Sequence, residues 1–326
     1  MDAGLIVTIV LVSVLAIGFA SYSTDSVIGE NSFKNKNFLK LGMELPVIWI
    51  YIDTSDVNSR YWADFGNRSS RAINIPFLNL CYESLVKVNS KKYRVEVIGG
   101  VADLAIRLGG WDALPTPLQS SLAPVGEAEL NWIRAAVLKK FGGLWANPSM
   151  VAMKAFPTLP SDKVAFFGSD DNETYSGPLG TAAPSLRLLW SPKPEHPLFV
   201  EWEETTWKRV EDQVGGRQFR KDGTSDALLL GRKYKEEVTY FPSVELSRKP
   251  NGKRIQLADL LMSGQEGNLP IVLTEDTEVV PVPYEELLVS REYGWFLRMS
   301  EEQILASDLT VSALLRSTRA AVQRTF

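Results

Sequence analysis

Cysteine and histidine are almost absent from the sequence, which contains one of each, Cys81 and His196, in 326 residues. A single cysteine excludes an internal disulfide and any cysteine-rich metal site. A single histidine excludes a zinc site built from several histidines and disfavours a Ser-His-Asp catalytic triad. Any catalysis must therefore be carried by carboxylates, amides, backbone groups and a hard metal ion.

A surplus of basic side chains is also missing, since 35 lysine and arginine residues face 39 acidic residues, for a net charge of -4. This balance predicts no nucleic-acid partner. The sequence is 45% hydrophobic and 23% charged, which is typical of a globular protein. It contains no internal repeat and no low-complexity linker, so we predict one α/β domain over residues 44–326.

The N-terminal segment differs from the rest, because residues 4–22 contain no charged side chain. At about 1.5 Å per residue, a helix of that length spans roughly 28 Å, close to the hydrocarbon thickness of a bilayer. We predict a single-pass transmembrane anchor over residues 1–22 and a polar stalk over residues 23–43. A cleaved signal peptide and a buried core helix are the alternatives. The first is disfavoured because residues 1–3 contain no basic side chain.

The side of the membrane on which the domain lies stays open. Lys34, Lys36 and Lys40 follow the apolar segment, and the positive-inside rule would place them in the cytoplasm. Glycosylation sequons at Asn67 and Asn172 would instead suit a lumenal domain.

The body of the chain opens with a pattern typical of a parallel sheet. Residues 47–52 form a continuous apolar run that ends at Asp53, as in a strand buried on both faces. A helix with one apolar face follows from Pro76, and residues 93–97 alternate like a strand. Strand, helix and strand at this spacing predict a βαβ unit, and hence helices covering a mostly parallel sheet.

Further elements follow the same rules. An apolar helical face runs from Leu130 to Phe141 and stops at Gly142-Gly143, so we predict a helix and then a strand over residues 144–146. We predict later strands over residues 164–167, 186–190, 238–241 and 271–273, and a helix from Pro197. The pattern of residues 312–326 predicts an amphipathic C-terminal helix. This helix either packs on the domain or lies on a membrane surface.

Residues 133–145, IRAAVLKKFGGLW, resemble the core signature of capsular polysaccharide synthesis-type glycosyltransferases, within the DXD-motif sugar transferases. Three other stretches resemble the family in order and spacing. Residues 46–51 are similar to its opening strand, and residues 77–97, with Cys81-x-x-Ser84, to its next helix and strand. Residues 191–198 are similar to a Lys-Pro-x-His-Pro-Leu turn that enters a helix. The resemblance spans residues 45–242. It implies a GT-A-like, Rossmann-like fold with a mostly parallel sheet flanked by helices, preceded here by one transmembrane helix.

The resemblance also implies a site at the carboxyl ends of the first strands, where a nucleotide sugar binds. In the family, paired carboxylates hold Mn²⁺ or Mg²⁺, which stabilises the leaving nucleoside diphosphate. Aligned on Gly142-Gly143, the metal positions here are Asn147 and Ser149, and the acidic position three residues before Arg134 is Asn131. The two amides remove negative charge from the surroundings of a cation.

The resemblance and the strand ends together select the candidate residues. Candidates for binding the nucleotide sugar are Asp53, Asn131, Arg134, Gly143 and Trp145. Candidate metal ligands are Asn147 and Ser149, and candidate catalytic residues are Asn147 and Asp226. Asp170 and Asp171, which follow a predicted strand, are candidate replacement carboxylates. Each has a structural alternative, such as an ion pair for Arg134, a helix stop for Gly142-Gly143 and a turn cap for Asn147.

Two functions stay open at this point. The first is a membrane-anchored glycosyltransferase that moves a sugar from a nucleotide sugar to a glycan acceptor, which Arg134 and residues 142–145 favour. The second is a catalytically inactive protein with the same fold, serving as a structural, scaffolding or virion membrane component, which Asn131 and Asn147 favour.

Overall fold

The computed structural model describes residues 45–52, 75–121, 123, 125–169, 184–213, 223–245, 249, 253, 255–264, 271–275 and 277–323. Within them the chain forms eight strands: β1 (Val47–Ile52), β2 (Arg94–Gly99), β3 (Gly143–Ala146), β4 (Met150–Ala152), β5 (Val164–Ser169), β6 (Pro184–Ser191), β7 (Val238–Glu245) and β8 (Val279–Pro281). The helices of this part of the chain are α1 (Ile75–Asn89), α2 (Gly100–Leu108), α3 (Glu127–Phe141), α4 (Pro197–Gln213), α5 (Gly223–Lys233), α6 (Leu257–Leu261), α7 (Tyr284–Val289), α8 (Glu301–Ala306) and α9 (Thr310–Gln323). Short 3₁₀ helices lie at Trp111–Ala113, Thr116–Leu118, Lys235–Glu237 and Phe296–Arg298.

The strands form one eight-stranded sheet in the order β2-β1-β3-β6-β5-β7-β8-β4. β1 is parallel to β2 and β3, and β7 is parallel to β5 and β8. β6 is antiparallel to β3 and β5, and β4 is antiparallel to β8. All strands except β4 and β6 therefore run in one direction, which confirms the predicted α/β fold with a mostly parallel sheet. Their carboxyl ends meet at one edge.

Helices cover both faces of the sheet because side chains on each strand alternate between the faces. On one face, Trp49 and Trp145 pack in a buried cluster with residues of α2, α3, α4 and α5. On the other face, Ile50 and Leu144 pack with Leu85 of α1. A third cluster joins α1 to β8 and the helices from α6 to α9. The predicted burial of β1 on both sides is confirmed.

The Cys81-x-x-Ser84 pair has a structural role within α1. The Ser84 hydroxyl donates to the Cys81 carbonyl oxygen at 2.7 Å and accepts from the Ala152 backbone N–H at 3.0 Å. Since all three residues are buried, this hydroxyl satisfies groups that water cannot reach. It thereby joins α1 to β4, a strand that the sequence pattern did not predict.

The predicted strand over residues 271–273 is wrong. Ile271 is buried, but Val272 is 56% and Leu273 39% exposed, and these residues pair with no strand among the described residues. The strand of this region is β8, which is buried between β7 and β4. A run of three apolar residues does not distinguish a core strand from a segment that leaves the core after one residue.

The predicted C-terminal helix is confirmed as α9, and it packs on the domain. Val311, Leu314 and Leu315 are buried in the cluster that contains α1. Arg319 forms an ion pair with Glu83 of α1. These contacts support the packed alternative over the membrane-surface one.

Among the described residues, no helix is both long and apolar enough to cross a bilayer. The predicted transmembrane segment, the stalk, and the sequons at Asn67 and Asn172 all lie outside the described residues.

Candidate functional site

Helix α3 carries the first half of the candidate site. Its N-terminus is capped because the Gly126 N–H donates to the Glu129 carboxylate at 2.9 Å. Lys139 and Lys140 lie in its last turn, where cations interact favourably with the helix dipole. Every residue from 131 to 138 is buried, so Asn131 and Arg134 are enclosed rather than displayed on a surface.

The turn at Gly142-Gly143 connects α3 to β3 at the amino end of that strand. Both glycines have positive φ, +64° and +91°. A Cβ on Gly143 would lie 2.6 Å from the Val47 carbonyl oxygen, and one on Gly142 would lie 3.0 Å from the Lys193 carbonyl carbon. The Trp49 indole N–H donates to the Gly142 carbonyl oxygen at 2.9 Å. Packing and backbone conformation thus require both glycines.

Three of the predicted donor-binding residues form one contact group, which we call the Arg134 cluster: Asn131, Arg134 and Trp145. The Arg134 Nη1 donates to Asn131 Oδ1. The guanidinium carbon of Arg134 lies 5.6 Å from the centroid of the Trp145 ring, a cation–π distance. Arg134 is 3% and Trp145 1% exposed. The structure therefore holds the guanidinium in a fixed position with a neutral hydrogen-bonding partner.

The Trp145 indole N–H is buried and has no acceptor among the described residues. A buried donor without an acceptor is destabilising by about 1–3 kcal/mol, so such groups are rare in native proteins. This is a feature that the sequence pattern did not reveal.

Gly143 and Asp53 do not join this cluster. Gly143 begins β3, so it lies at the sheet edge opposite to Asn147, which follows the strand. Its contacts are with β1 backbone and the Trp49 side chain. Asp53 lies outside the described residues, directly after β1. Their proposed contacts with a nucleotide stay predictions.

Asn147 and Ser149 form the turn from β3 to β4. The Asn147 side-chain oxygen accepts from the Ser149 N–H at 2.9 Å, and the Asn147 N–H donates to the Arg187 carbonyl oxygen at 2.9 Å. The Ser149 hydroxyl donates to the Val282 carbonyl oxygen at 3.0 Å, and the Val282 N–H donates to the Ser149 carbonyl oxygen at 3.1 Å. Ser149 is 1% exposed. Both side chains therefore stabilise the turn and its attachment to the segment after β8.

These two residues do not by themselves fit a site for Mn²⁺ or Mg²⁺. Both cations prefer anionic oxygen ligands, whereas Asn147 and Ser149 are neutral and already engaged with backbone groups. The described part of the chain contains no cluster of three or more Asp, Glu, His or Cys that could hold a metal ion. Asp53, Asp170 and Asp171 lie outside it, so a metal cofactor stays a prediction.

Asp226 lies in the first turn of α5 and is 4% exposed. Its Oδ1 accepts from Arg209 Nη2 at 2.6 Å, and its Oδ2 accepts from Arg209 Nη1. This bidentate ion pair joins α5 to α4. The sequence predicted a role for Asp226 but no partner, because Arg209 is 17 residues away on another helix.

The start of α5 also packs against the Arg134 cluster. A Cβ placed on Gly223 would lie 2.6 Å from Asn131 Cγ, so a side chain there would require the amide to move. Asp226 lies one turn further along the same face of α5, since residues three apart on a helix are neighbours. Gly223 thus borders the Arg134 cluster, and sequence spacing alone contains no signal for that contact.

The two rare side chains have structural positions. His196 is 2% exposed, its Nδ1 accepts from the Leu198 N–H at 3.3 Å, and its Nε2 lies 3.3 Å from Glu237. Burial lowers the pKa of His196 more than the Glu237 carboxylate raises it. Burial also raises the pKa of the Cys81 thiol, so it stays protonated at neutral pH and is a poor nucleophile.

Comparison with known proteins assigns the chain to no family. No family model and no curated protein matches it. Among solved structures, it is similar to the apo form of the glycosyltransferase GlyE from Streptococcus pneumoniae TIGR4, with 11% identity and a TM-score of 0.33. The match covers 85% of this chain and 64% of that one, so the chain spans less than two thirds of GlyE. At this TM-score and identity, no donor or catalytic residue can be transferred from GlyE to this chain.

Proposed function

We propose that this protein is glycosyltransferase-like: it binds a nucleotide sugar at the carboxyl edge of β3 and transfers the sugar to a glycan acceptor. The observation that carries the proposal is the Arg134 cluster, a buried guanidinium held against Trp145 by the Asn131 amide. The family resemblance of residues 133–145 and the mostly parallel sheet support it. Ligands of such sheets bind outside the carboxyl ends of the strands.

Sugar transfer from a nucleotide sugar requires a group that stabilises the negative charge on the departing nucleoside diphosphate. A guanidinium is suited to this, because it is permanently charged and presents donors in a planar fork that matches phosphate oxygens. Arg134 is fixed by Asn131 and Trp145 before any ligand arrives, so little side-chain entropy is lost on binding.

Nucleotide-sugar binding is tested by titration calorimetry of the full chain in detergent with UDP- and GDP-sugars. We expect Arg134→Lys, which keeps the charge but loses the planar fork, to weaken binding by about tenfold or more. The control is Arg291→Gln, which removes an exposed arginine and should leave affinity unchanged. Failure of the parent protein to bind any donor would contradict the proposal.

A second function, binding without catalysis, is favoured by the turn after β3. Asn147 and Ser149 use their side chains to stabilise that turn, at the positions where the family has metal ligands. Release of free sugar from the donor, followed by chromatography, separates the two functions. Turnover by the parent protein supports the transferase, whereas binding without turnover supports the inactive protein.

Membrane anchoring is a further part of the proposal, and it rests on the uncharged residues 4–22. We expect the full chain to stay in the membrane fraction after alkaline carbonate extraction. A chain in which Leu11 and Leu15 are replaced by lysine should be released, because a charged residue inside the bilayer core is unfavourable by about 2.5–3.5 kcal/mol.

A further inference from the structure

We infer that the anionic part of the nucleotide sugar is bound at this site without a divalent cation. The inference rests on the proposed function and concerns how the same site recognises the diphosphate. It follows from three properties of the described residues: the charge at positions 131 and 147, the hydrogen bonds that hold the side chains at the family's metal positions, and a buried donor without an acceptor.

The net charge differs from that of the family pattern. Carboxylates at positions 131 and 147 would contribute two negative charges, which a divalent cation would balance. Asn131 and Asn147 contribute none. The amide-containing site without a cation therefore carries the same net charge as the acidic site with one.

Arg134 supplies the positive charge in this balance. An aspartate at position 131 would offset the charge of Arg134, whereas the neutral Asn131 amide accepts its hydrogen bond without doing so. Because the pair is buried, its attraction for an anion is screened less by water and salt than that of a surface arginine.

The side-chain oxygens at the family's metal positions are neutral and are held in hydrogen bonds within the protein. Asn147 Oδ1 accepts from the Ser149 N–H, and the Ser149 hydroxyl is directed to Val282. Asp226, the buried carboxylate nearest along α5 to the Gly223 contact, is held by Arg209 at both oxygens. Withdrawing Asp226 to a cation would leave a largely buried arginine unpaired, which is strongly destabilising.

The polar group that has no hydrogen-bonding partner in the described part of this site is a donor, the indole N–H of Trp145. The buried Trp145 N–H has no acceptor among the described residues, and its ring lies against the Arg134 guanidinium. Donors bind anions and acceptors bind cations. A site that has neutral side chains in place of the family's carboxylates, and a buried indole N–H without an acceptor among the described residues, is therefore suited to an oxyanion such as a phosphate group.

The first experiment compares the dissociation constants of UDP and GDP for the full chain in excess EDTA and in excess MnCl₂. We expect the better ligand to bind equally well in both buffers, within about threefold. Binding only with Mn²⁺ would overturn the inference while leaving the proposed function intact. Binding in neither buffer would overturn the proposed function, and the inference with it.

The second experiment restores the acidic positions with Asn131→Asp and Asn147→Asp together. We expect affinity in EDTA to fall about tenfold or more, since two negative charges now face the phosphates, and Mn²⁺ to restore it. The matched control is Gln256→Glu with Gln303→Glu, which adds the same charge at exposed positions. Unchanged affinity in EDTA for a folded Asn131→Asp/Asn147→Asp protein would overturn the inference.

Discussion

The turns at the two ends of β3 are held in place by different physical means. Gly142-Gly143 depends on the absence of side chains, because a Cβ on Gly143 would meet the Val47 carbonyl oxygen at 2.6 Å. The turn from Asn147 to Ser149 depends on side chains, through hydrogen bonds to the Ser149 N–H and the Val282 carbonyl oxygen. The glycine turn is therefore fixed by close packing, and the turn after β3 is fixed by side-chain hydrogen bonds.

The largest expected effect is at the glycine turn. Gly143→Ala should destabilise the protein by about 3 kcal/mol or more, because strain at φ +91° adds to a clash with backbone that cannot move easily. Urea unfolding followed by circular dichroism measures it. A decrease of less than about 1 kcal/mol in the free energy of unfolding would contradict this explanation of the turn.

Two other glycines serve as controls that separate strain from clash. Gly109 has φ +113°, and no heavy atom lies within 4 Å of the position that a Cβ would take. Gly109→Ala should therefore be destabilising through strain alone, by about 1–2 kcal/mol. Gly99 has φ -89° and the same open space, so Gly99→Ala should change stability by less than about 1 kcal/mol.

A smaller effect is expected at the second turn. Ser149→Ala should destabilise the protein by about 1–3 kcal/mol, because the buried Val282 carbonyl oxygen loses its donor. The control is Thr205→Ala, which removes an exposed hydroxyl bonded to the Glu201 carbonyl oxygen. Equal effects at the two positions in urea unfolding would contradict a specific role for Ser149.

At Asn147, two substitutions can separate a role in holding the turn from a role in binding the nucleotide. Asn147→Ala should be destabilising by about 0.5–1.5 kcal/mol through loss of the bond to Ser149, whereas Asn147→Asp keeps the acceptor and should be nearly neutral. If Asn147 contacts the ligand, Asn147→Asp should still weaken nucleotide binding in EDTA. Equal thermal unfolding of parent and Asn147→Ala would show that this bond does not hold the turn.

The smallest expected effect is a pH dependence of stability, which arises next to the Gly142-Gly143 turn. His196 belongs to the segment whose Lys193 packs against Gly142. Because burial lowers its pKa, the unfolded chain binds more protons at this site than the folded one. Its contribution to stability is therefore complete above about pH 6.5 and declines as the pH falls below that value.

His196→Gln should remove this dependence. The measurement is urea unfolding of parent and variant at a series of pH values between about 7 and 5. Parallel curves for the two proteins over that range would show that His196 does not couple stability to pH.

The first half of the sheet could be predicted from local patterns. The apolar run of β1, the faces of α1 and α3, and the glycine stop after Phe141 all reflect burial and helix periodicity over a few residues. The later part could not be predicted as well. β4 and β8 have three residues each, and they pair with each other across more than a hundred residues, so neither contains a sequence period long enough to detect.

In the candidate site, too, the contacts within one motif could be predicted and the contacts between distant elements could not. Arg134 and Trp145 were predicted from a motif within one helix and the strand that follows it. The partners that define what these residues can do were not: Gly223 against Asn131, Arg209 on Asp226 and Val282 on Ser149. Each of these contacts joins elements that are far apart along the chain.

The sequence by itself determined the α/β class, the position of the helix that carries Arg134 and the neutral character of positions 131 and 147. These follow from side-chain type and short-range periodicity, which are properties of neighbouring residues. Only the tertiary structure decided that Asn147 and Ser149 hold a turn, that Asp226 is engaged by Arg209, and that the Trp145 N–H is left without an acceptor among the described residues. Hydrogen-bond satisfaction depends on which groups meet across the fold, and burial then decides how strongly each one matters.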